Sequence, residues 1–157
     1  MFEFKKVSML NIFDLNRVNQ ILRSCGKDMY KKYGLGHWNN NWIKNFLIVC
    51  LCALKNTIYL VKDSSGNYVA TFQFKVNNRK LRLQKLATKP QFAGNGVGSY
   101  CLTEAEHIAK TLKCNAVCFE VYNKSEHAIE FYKHRGYEVC GEIKTLKYTK
   151  ILMEKNI

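Results

Sequence analysis

The stretch Lys89-Pro90-Gln91-Phe92-Ala93-Gly94-Asn95-Gly96-Val97-Gly98-Ser99-Tyr100 joins a strand to a helix through a glycine-rich turn. Upstream, the run Leu81 to Leu86 begins with alternating apolar and polar residues, and Pro90 lacks the N–H that a central strand needs in order to continue. Downstream, Val97, Cys101, Ala105, Ile108, Ala109 and Leu112 recur at helical spacing and predict one buried face. The first amides of such a helix have no intrahelical acceptor and lie at the positive end of its dipole, so a phosphate or pyrophosphate is their natural guest. Gly94, Gly96 and Gly98 let the backbone approach that guest with no Cβ in the way.

Three kinds of phosphate loop compete for these residues, and spacing separates them. A nucleoside-triphosphate loop needs Gly-Lys followed by Ser or Thr, which this stretch lacks. A dinucleotide fingerprint needs a third glycine where Ser99 or Cys101 stands, although Glu120 lies at the expected distance downstream. The stretch resembles the pyrophosphate loop of the GNAT superfamily of acyl-CoA-dependent N-acyltransferases. That motif, Arg or Gln followed by x-x-Gly-x-Gly or Ala, fits in two registers. Gln91-Phe92-Ala93-Gly94-Asn95-Gly96 satisfies it literally. Anchoring on Pro90 and Val97 instead gives Ala93-Gly94-Asn95-Gly96-Val97-Gly98, the preferred register because it also places the helix start, with Ala93 where the family carries Arg or Gln. The departure removes one side-chain contact and leaves the backbone amides, so it implies weakened but retained cofactor affinity.

Val121-Tyr122-Asn123-Lys124-Ser125-Glu126-His127-Ala128-Ile129-Glu130-Phe131-Tyr132-Lys133-His134-Arg135-Gly136-Tyr137 carries the rest of the resemblance. Read from the residues alone, Ala128, Phe131, Tyr132 and Arg135 share one helical stripe, and Gly136 sits where a helix end favours a left-handed residue. Lys133, His134 and Arg135 complement the negative end of the dipole. The resemblance implies that Ser125, where the family commonly has Asn, or the nearby Asn123 would bond the pantetheine arm. An ordinary helix N-cap is the competing role for Ser125. It also implies that Tyr132 is the general acid that protonates the departing CoA thiolate, a phenol of pKa about 10 serving a thiol of pKa about 8.5. A core tyrosine on an amphipathic helix is the competing reading. The cofactor set implied is Leu86, Ala87 and Thr88 for pantetheine, Ala93, Gly94, Asn95, Gly96, Val97, Gly98 and Ser99 for the pyrophosphate, and Asn123, Ser125 and Tyr132.

The fold implied is a mixed α/β sheet of six to seven strands, mostly antiparallel around a central parallel pair and flanked by about four helices, in one N-acetyltransferase domain over residues 1–157. The rest of the chain fits that plan. Phe2 to Val7 reads as a strand, Leu15, Val18, Leu22, Cys25 and Met29 as a helical stripe ended by Gly34-Leu35-Gly36, Trp42 to Leu54 as a second helix, and Thr57 to Lys62 as a strand. Asp63 to Asn67 has hairpin-turn chemistry, after which Tyr68, Ala70, Phe72, Phe74 and Val76 alternate as one face of a strand. Asn77-Asn78 turns the chain into the strand that ends at Pro90. Ala116 to Val121 is expected to lie parallel to that strand through a right-handed crossover, and the tail reads as a final antiparallel pair.

Composition bounds the function. The 157 residues, 47% hydrophobic with a single proline, suit a packed domain rather than a disordered one. Seven cysteines, odd in number and without Cys-x-x-Cys spacing, argue against zinc and disulfide frameworks, so no metal is expected and a reducing cytoplasm is the default compartment. Phe46 to Leu54 is too short to span a bilayer, which takes about 20 helical residues, and Met1 to Lys6 has no signal-peptide core, so no membrane partner is expected. The net charge of +13 would suit nucleic acid, but its basic stretches read as strand edges and turns, where lysines discourage edge pairing. Attraction of an anionic acyl-CoA is the milder use of the same field. A homodimer is left open.

The resemblance implies an amine acceptor site near the loop between the first two helices and near the C-terminal strands, with Tyr30, Tyr33, His37 and Trp38 of that loop region as pocket residues. Packing is the competing role for these aromatics, and no general base stands out. Residues 1–62 carry the acids Glu3, Asp14 and Asp28 against ten lysines and arginines. A polycationic acceptor would need clustered carboxylates, so a singly charged, zwitterionic or aromatic-bearing amine, such as an amino-acid derivative or a peptide N-terminus, is the expected class.

Overall fold

The computed structural model describes residues 1–36, 38 and 41–157. In chain order the elements are β1 (Glu3–Lys6), α1 (Ile12–Tyr33), α2 (Trp42–Lys55), β2 (Thr57–Lys62), β3 (Tyr68–Asn77), β4 (Lys80–Thr88), α3 (Val97–Thr111), β5 (Ala116–Tyr122), α4 (Glu126–His134), β6 (Glu138–Lys144) and β7 (Thr149–Asn156). The seven strands are ordered β1-β2-β3-β4-β5-β7-β6. β4 and β5 run parallel, while β1 with β2, β2 with β3, β5 with β7 and β6 with β7 run antiparallel. This is the mixed sheet expected, with four α-helices among the described residues. Asn78 (φ 49°) and Arg79 (φ 57°) form the two-residue connection from β3 to β4, and positive φ at both positions is the geometry that matches strand twist in a hairpin.

Two compact units divide the chain, residues 1–75 with 85–103 and residues 76–84 with 104–157. In the first, α1 starts where the Asn11 side chain accepts from the Asp14 amide at 3.1 Å, and ends where the Gly34 amide donates to the Tyr30 carbonyl. It buries Leu15, Val18, Ile21 and Leu22 against Val7, Val49, Ile58 and Leu60. Each such side chain contributes about 1.5–3 kcal/mol. Asp14 is also buried, held by Lys5 at 2.6 Å and Arg17 at 2.7 Å. Burial works to raise its pKa, but these two cations outweigh it and hold the carboxyl below its ordinary range. α2 is capped by Asn41 and buries only Asn45 and Val49, leaving Ile43, Leu47, Leu51 and Leu54 exposed. Residues 69–74 of β3 are all buried, so this strand does not show the alternating face expected of it.

In the second unit β5 buries Ala116, Val117, Phe119 and Val121. Lys80 reaches Glu154 at 2.7 Å, and Glu120 is shared by Arg82 and Lys150, so ion pairs stitch neighbouring strands β4, β5 and β7. Glu120 is therefore committed to two cations. Partial burial favours its neutral form, yet Lys150 and Arg82 together hold its pKa down. Leu112, expected on the buried face of α3, lies past its end and is half exposed, while Leu102 is buried instead. Among the described residues no helix is long and apolar enough to cross a membrane.

Candidate functional site

β4 ends at Thr88, and Pro90–Phe92 forms a single 3₁₀ turn closed by the Ala93 amide on the Pro90 carbonyl at 3.1 Å. Gly94 (φ 81°) and Gly96 (φ 77°) then adopt left-handed backbone, and α3 opens at Val97, its first helical bond running from the Tyr100 amide to the Gly96 carbonyl at 3.0 Å. A Cβ at either glycine would have nothing within 4 Å, so conformation rather than crowding requires glycine here. Val97 is buried and anchors the turn, while Ala93, Gly94, Asn95 and Gly96 are exposed, and Gly98 and Ser99 are half-buried in the first helical turn. Left-handed residues leading into a helix aim successive N–H groups at one point, the chemistry of an anion cradle.

Before the turn, Leu86, Ala87 and Thr88 are half-buried, and the Thr88 carbonyl accepts from the Cys25 thiol at 3.0 Å. Burial pushes the Cys25 pKa up to about 12, which keeps that sulfur protonated as a donor. Lys85 departs from strand geometry with φ 47°, in the position immediately before Leu86. Its ammonium donates to Cys52 Sγ at 2.8 Å and lies 5.3 Å from the centroid of the Trp38 ring. Nothing in the sequence from Leu83 to Thr88 signals a left-handed residue at Lys85.

The aromatics proposed for the acceptor divide. Tyr30 is exposed and Tyr33 half-buried in the last turn of α1, whereas Trp38 is half-buried against the core that α1 and α2 share. Trp42 stacks on Phe46 at 5.4 Å and so takes a packing role. His37 lies outside the described residues.

In the second unit, Asn123 is exposed and its amide donates to the Thr149 carbonyl at 3.0 Å. Ser125 occupies the N-cap position of α4 and is buried, but its hydroxyl makes no capping bond. Its carbonyl instead accepts from the Ala128 and Ile129 amides. Tyr132 is half-buried, its ring 4.3 Å from Phe119 and 5.2 Å from Phe131 between centroids. Tyr137 also packs on Phe119, at 4.8 Å, and donates to Glu106 at 3.1 Å. Burial and then the Glu106 charge raise the Tyr137 pKa, so this phenol stays protonated and structural. Gly136 (φ 82°) follows α4 as the glycine pattern required. Leu86 to Thr88, Ala93 to Ser99, Tyr30, Tyr33 and Trp38 therefore fall in the first unit, and Asn123, Ser125 and Tyr132 in the second. Among the described residues no group of three or more His, Cys, Asp or Glu side chains is placed to hold a metal ion.

The sequence profile described as the acetyltransferase (GNAT) family matches residues 15–137. A search of curated protein sequences finds no match to the chain. Among solved structures the chain is similar to the PaiA N-acetyltransferase of Thermoplasma acidophilum in complex with coenzyme A, with 20% identity, a TM-score of 0.78 and coverage of 100% of this chain and 99% of that one. It is also similar to the ribosomal-protein-S18-alanine N-acetyltransferase of Escherichia coli (13% identity, TM-score 0.76, 100% and 94% covered). A spermidine N-acetyltransferase chimera from Vibrio cholerae and hSSAT gives 13% identity and a TM-score of 0.73, with 99% and 95% covered.

Proposed function

Since the chain belongs to the acetyltransferase (GNAT) family, we propose that it is a single-domain N-acetyltransferase moving an acetyl group from acetyl-CoA to a primary amine by direct attack in a ternary complex. The observation that carries this reading is the turn at Gly94 and Gly96, whose left-handed residues run straight into α3. Its amides would hold the pyrophosphate, and the strand end Leu86 to Thr88 would pair with pantetheine. The Thr88 carbonyl is already engaged by Cys25, which leaves the other peptide groups of this segment for that pairing. The coenzyme A bound by the Thermoplasma acidophilum protein supports the choice of acyl donor.

Tyr132 would give its proton to the thiolate as the amine displaces it. Tyr137 cannot replace Tyr132 in this role, because its hydroxyl is already donated to Glu106. Asn123 and Ser125 would contact the pantetheine arm. The Ser125 hydroxyl makes no capping bond, which favours that role over a purely structural one. Tyr30, Tyr33, His37 and Trp38 would line the acceptor side. The two similar acetyltransferases named for a peptide alanine and for spermidine show that this fold serves more than one acceptor class, so acceptor choice rests on side chains.

A panel of amino acids, peptides and polyamines, followed by release of free CoA thiol, tests the proposal. Turnover with at least one amine is the expected result. Acetyl-CoA binding without turnover on any of them would make the chain a silent acyl-CoA-binding module on the same fold.

A further inference from the structure

We propose that Lys85 is a carboxylate-binding residue of the acceptor site, so that the preferred acceptors are amines that carry a carboxylate, amino acids foremost; this rests on the N-acetyltransferase reading. Three observations within the first unit converge on it. The first is backbone geometry. Lys85 holds φ 47° inside β4, a left-handed backbone that ordinary side chains rarely adopt and that breaks the strand's alternation at this position.

The second is the side chain's surroundings. The Lys85 ammonium is half-buried, and its partners are a thiol, Cys52 Sγ at 2.8 Å, and the face of Trp38 at 5.3 Å. Sulfur is a weak acceptor, and a ring face attracts the cation without neutralising it.

The third is the supply of acids. The first unit contains Glu3, Asp14, Asp28 and Asp63. Asp14 is held by Lys5 and Arg17, Asp28 by Lys32 at 2.8 Å, and Asp63 by the amides of Ser65 and Asn67 in its own turn. Glu3 sits opposite Lys62 in the β1–β2 register. Among the described residues no carboxylate pairs with Lys85, and an anion from outside would supply what the unit lacks. Lys85 directly precedes Leu86 to Thr88, the segment assigned to the acyl donor's arm, and Trp38 comes from the chain between α1 and α2. An acceptor with an apolar body against Trp38 and a carboxylate on Lys85 satisfies both groups, whereas a polyamine would bring a second positive charge toward an unbalanced lysine.

Two measurements on the intact protein decide it. In the first, kcat/KM is compared for phenylalanine and phenylalaninamide in the wild type, Lys85→Met and Lys85→Arg. Dividing the wild-type carboxylate-to-amide ratio by that of each variant cancels the difference in amine basicity. Lys85→Met should lower the ratio about tenfold, through KM for the acceptor and with KM for acetyl-CoA unchanged, and Lys85→Arg should keep most of it. An unchanged ratio, or a rise in KM for acetyl-CoA instead, overturns the proposal. The second measurement needs no turnover. Calorimetry with N-acetylphenylalanine and N-acetylphenylalaninamide should show the wild type binding the acid about tenfold more tightly and Lys85→Met binding both alike. Equal binding or no binding of the two by the wild type overturns the assignment, even if the variants fail to fold. A calorimetric preference without thiol release from any amine would retain the carboxylate site and refute the acetyltransferase reading. Turnover without charge preference would do the reverse.

Discussion

The two stretches that carry the family motifs, residues 90–100 and 121–137, use glycine alike and everything else differently. Gly96 and Gly136 both hold left-handed backbone, at φ 77° and 82°. Around Gly96 the chain is exposed and a Cβ would meet nothing, whereas a Cβ at Gly136 would come within 3.5 Å of the Lys155 side chain. The first stretch presents peptide groups to solvent. The second turns side chains inward, with Val121, Ser125 and Tyr137 buried and the half-buried Tyr132 in ring contact with Tyr137 and with Phe119 of β5. A motif read through its amides would tolerate side-chain drift, as the register anchored on Pro90 and Val97 requires of Ala93. A motif read through side chains would not.

Replacing the phenol proposed as general acid should give the largest effect. Tyr132→Phe keeps the ring contacts and should lower kcat by about 10²- to 10⁴-fold, as loss of a general acid does, with acetyl-CoA affinity unchanged by calorimetry. Wild-type turnover in this variant would reduce the second stretch to packing and erase the contrast.

The glycine pair should come next, because equal backbone strain is expected to have unequal consequences. Gly96→Val should weaken acetyl-CoA binding tenfold or more by reshaping the amide cradle. Gly136→Ala should leave that affinity intact and cost about 1 kcal/mol in thermal unfolding, since the chain of Lys155 can move aside. Equal losses of affinity in the two variants would show that the difference between the stretches lies elsewhere.

The smallest effect tests the tolerance directly. Ala93→Arg restores the family's usual residue at an exposed position and should tighten acetyl-CoA binding only about threefold, the scale of a solvated ion pair. A gain of a hundredfold would mean that the amides carry less of the binding than their geometry implies.

Local signals made most of the fold legible. Gly34, Pro90, the turn at Asp63 to Asn67 and the paired asparagines before β4 each mark a chain reversal by a mechanism that acts within a few residues, and the structure ends or turns elements there. What sequence did not show depends on neighbours that pattern cannot see. Residues 69–74 of β3 are buried without alternation, and α2, apolar almost throughout, leaves Ile43, Leu47, Leu51 and Leu54 in solvent. Hydropathy records what a side chain would prefer, not whether the fold provides a surface to cover it. The glycine turn was readable because only glycine serves there. Lys85 was not, since its left-handed backbone and its place beside Cys52 and Trp38 come from tertiary structure alone. Ser125 stands between these cases, its N-cap position foreseen but its missing capping bond not.

The exposure of β6, the last strand of the sheet, has a practical consequence. The register skips from Val139 to Gly141, leaving Cys140 unmatched. Cys140 is also alone among the seven cysteines in its exposure. Cys25 and Cys101 sit at the other extreme, raised by burial to about 12 and almost never ionised near neutrality. β6 is exposed at every position except Gly141, so the protein carries one exposed native thiol, the natural first point of attack for a dye or spin label, with Cys50, Cys52 and Cys118 part-buried behind it.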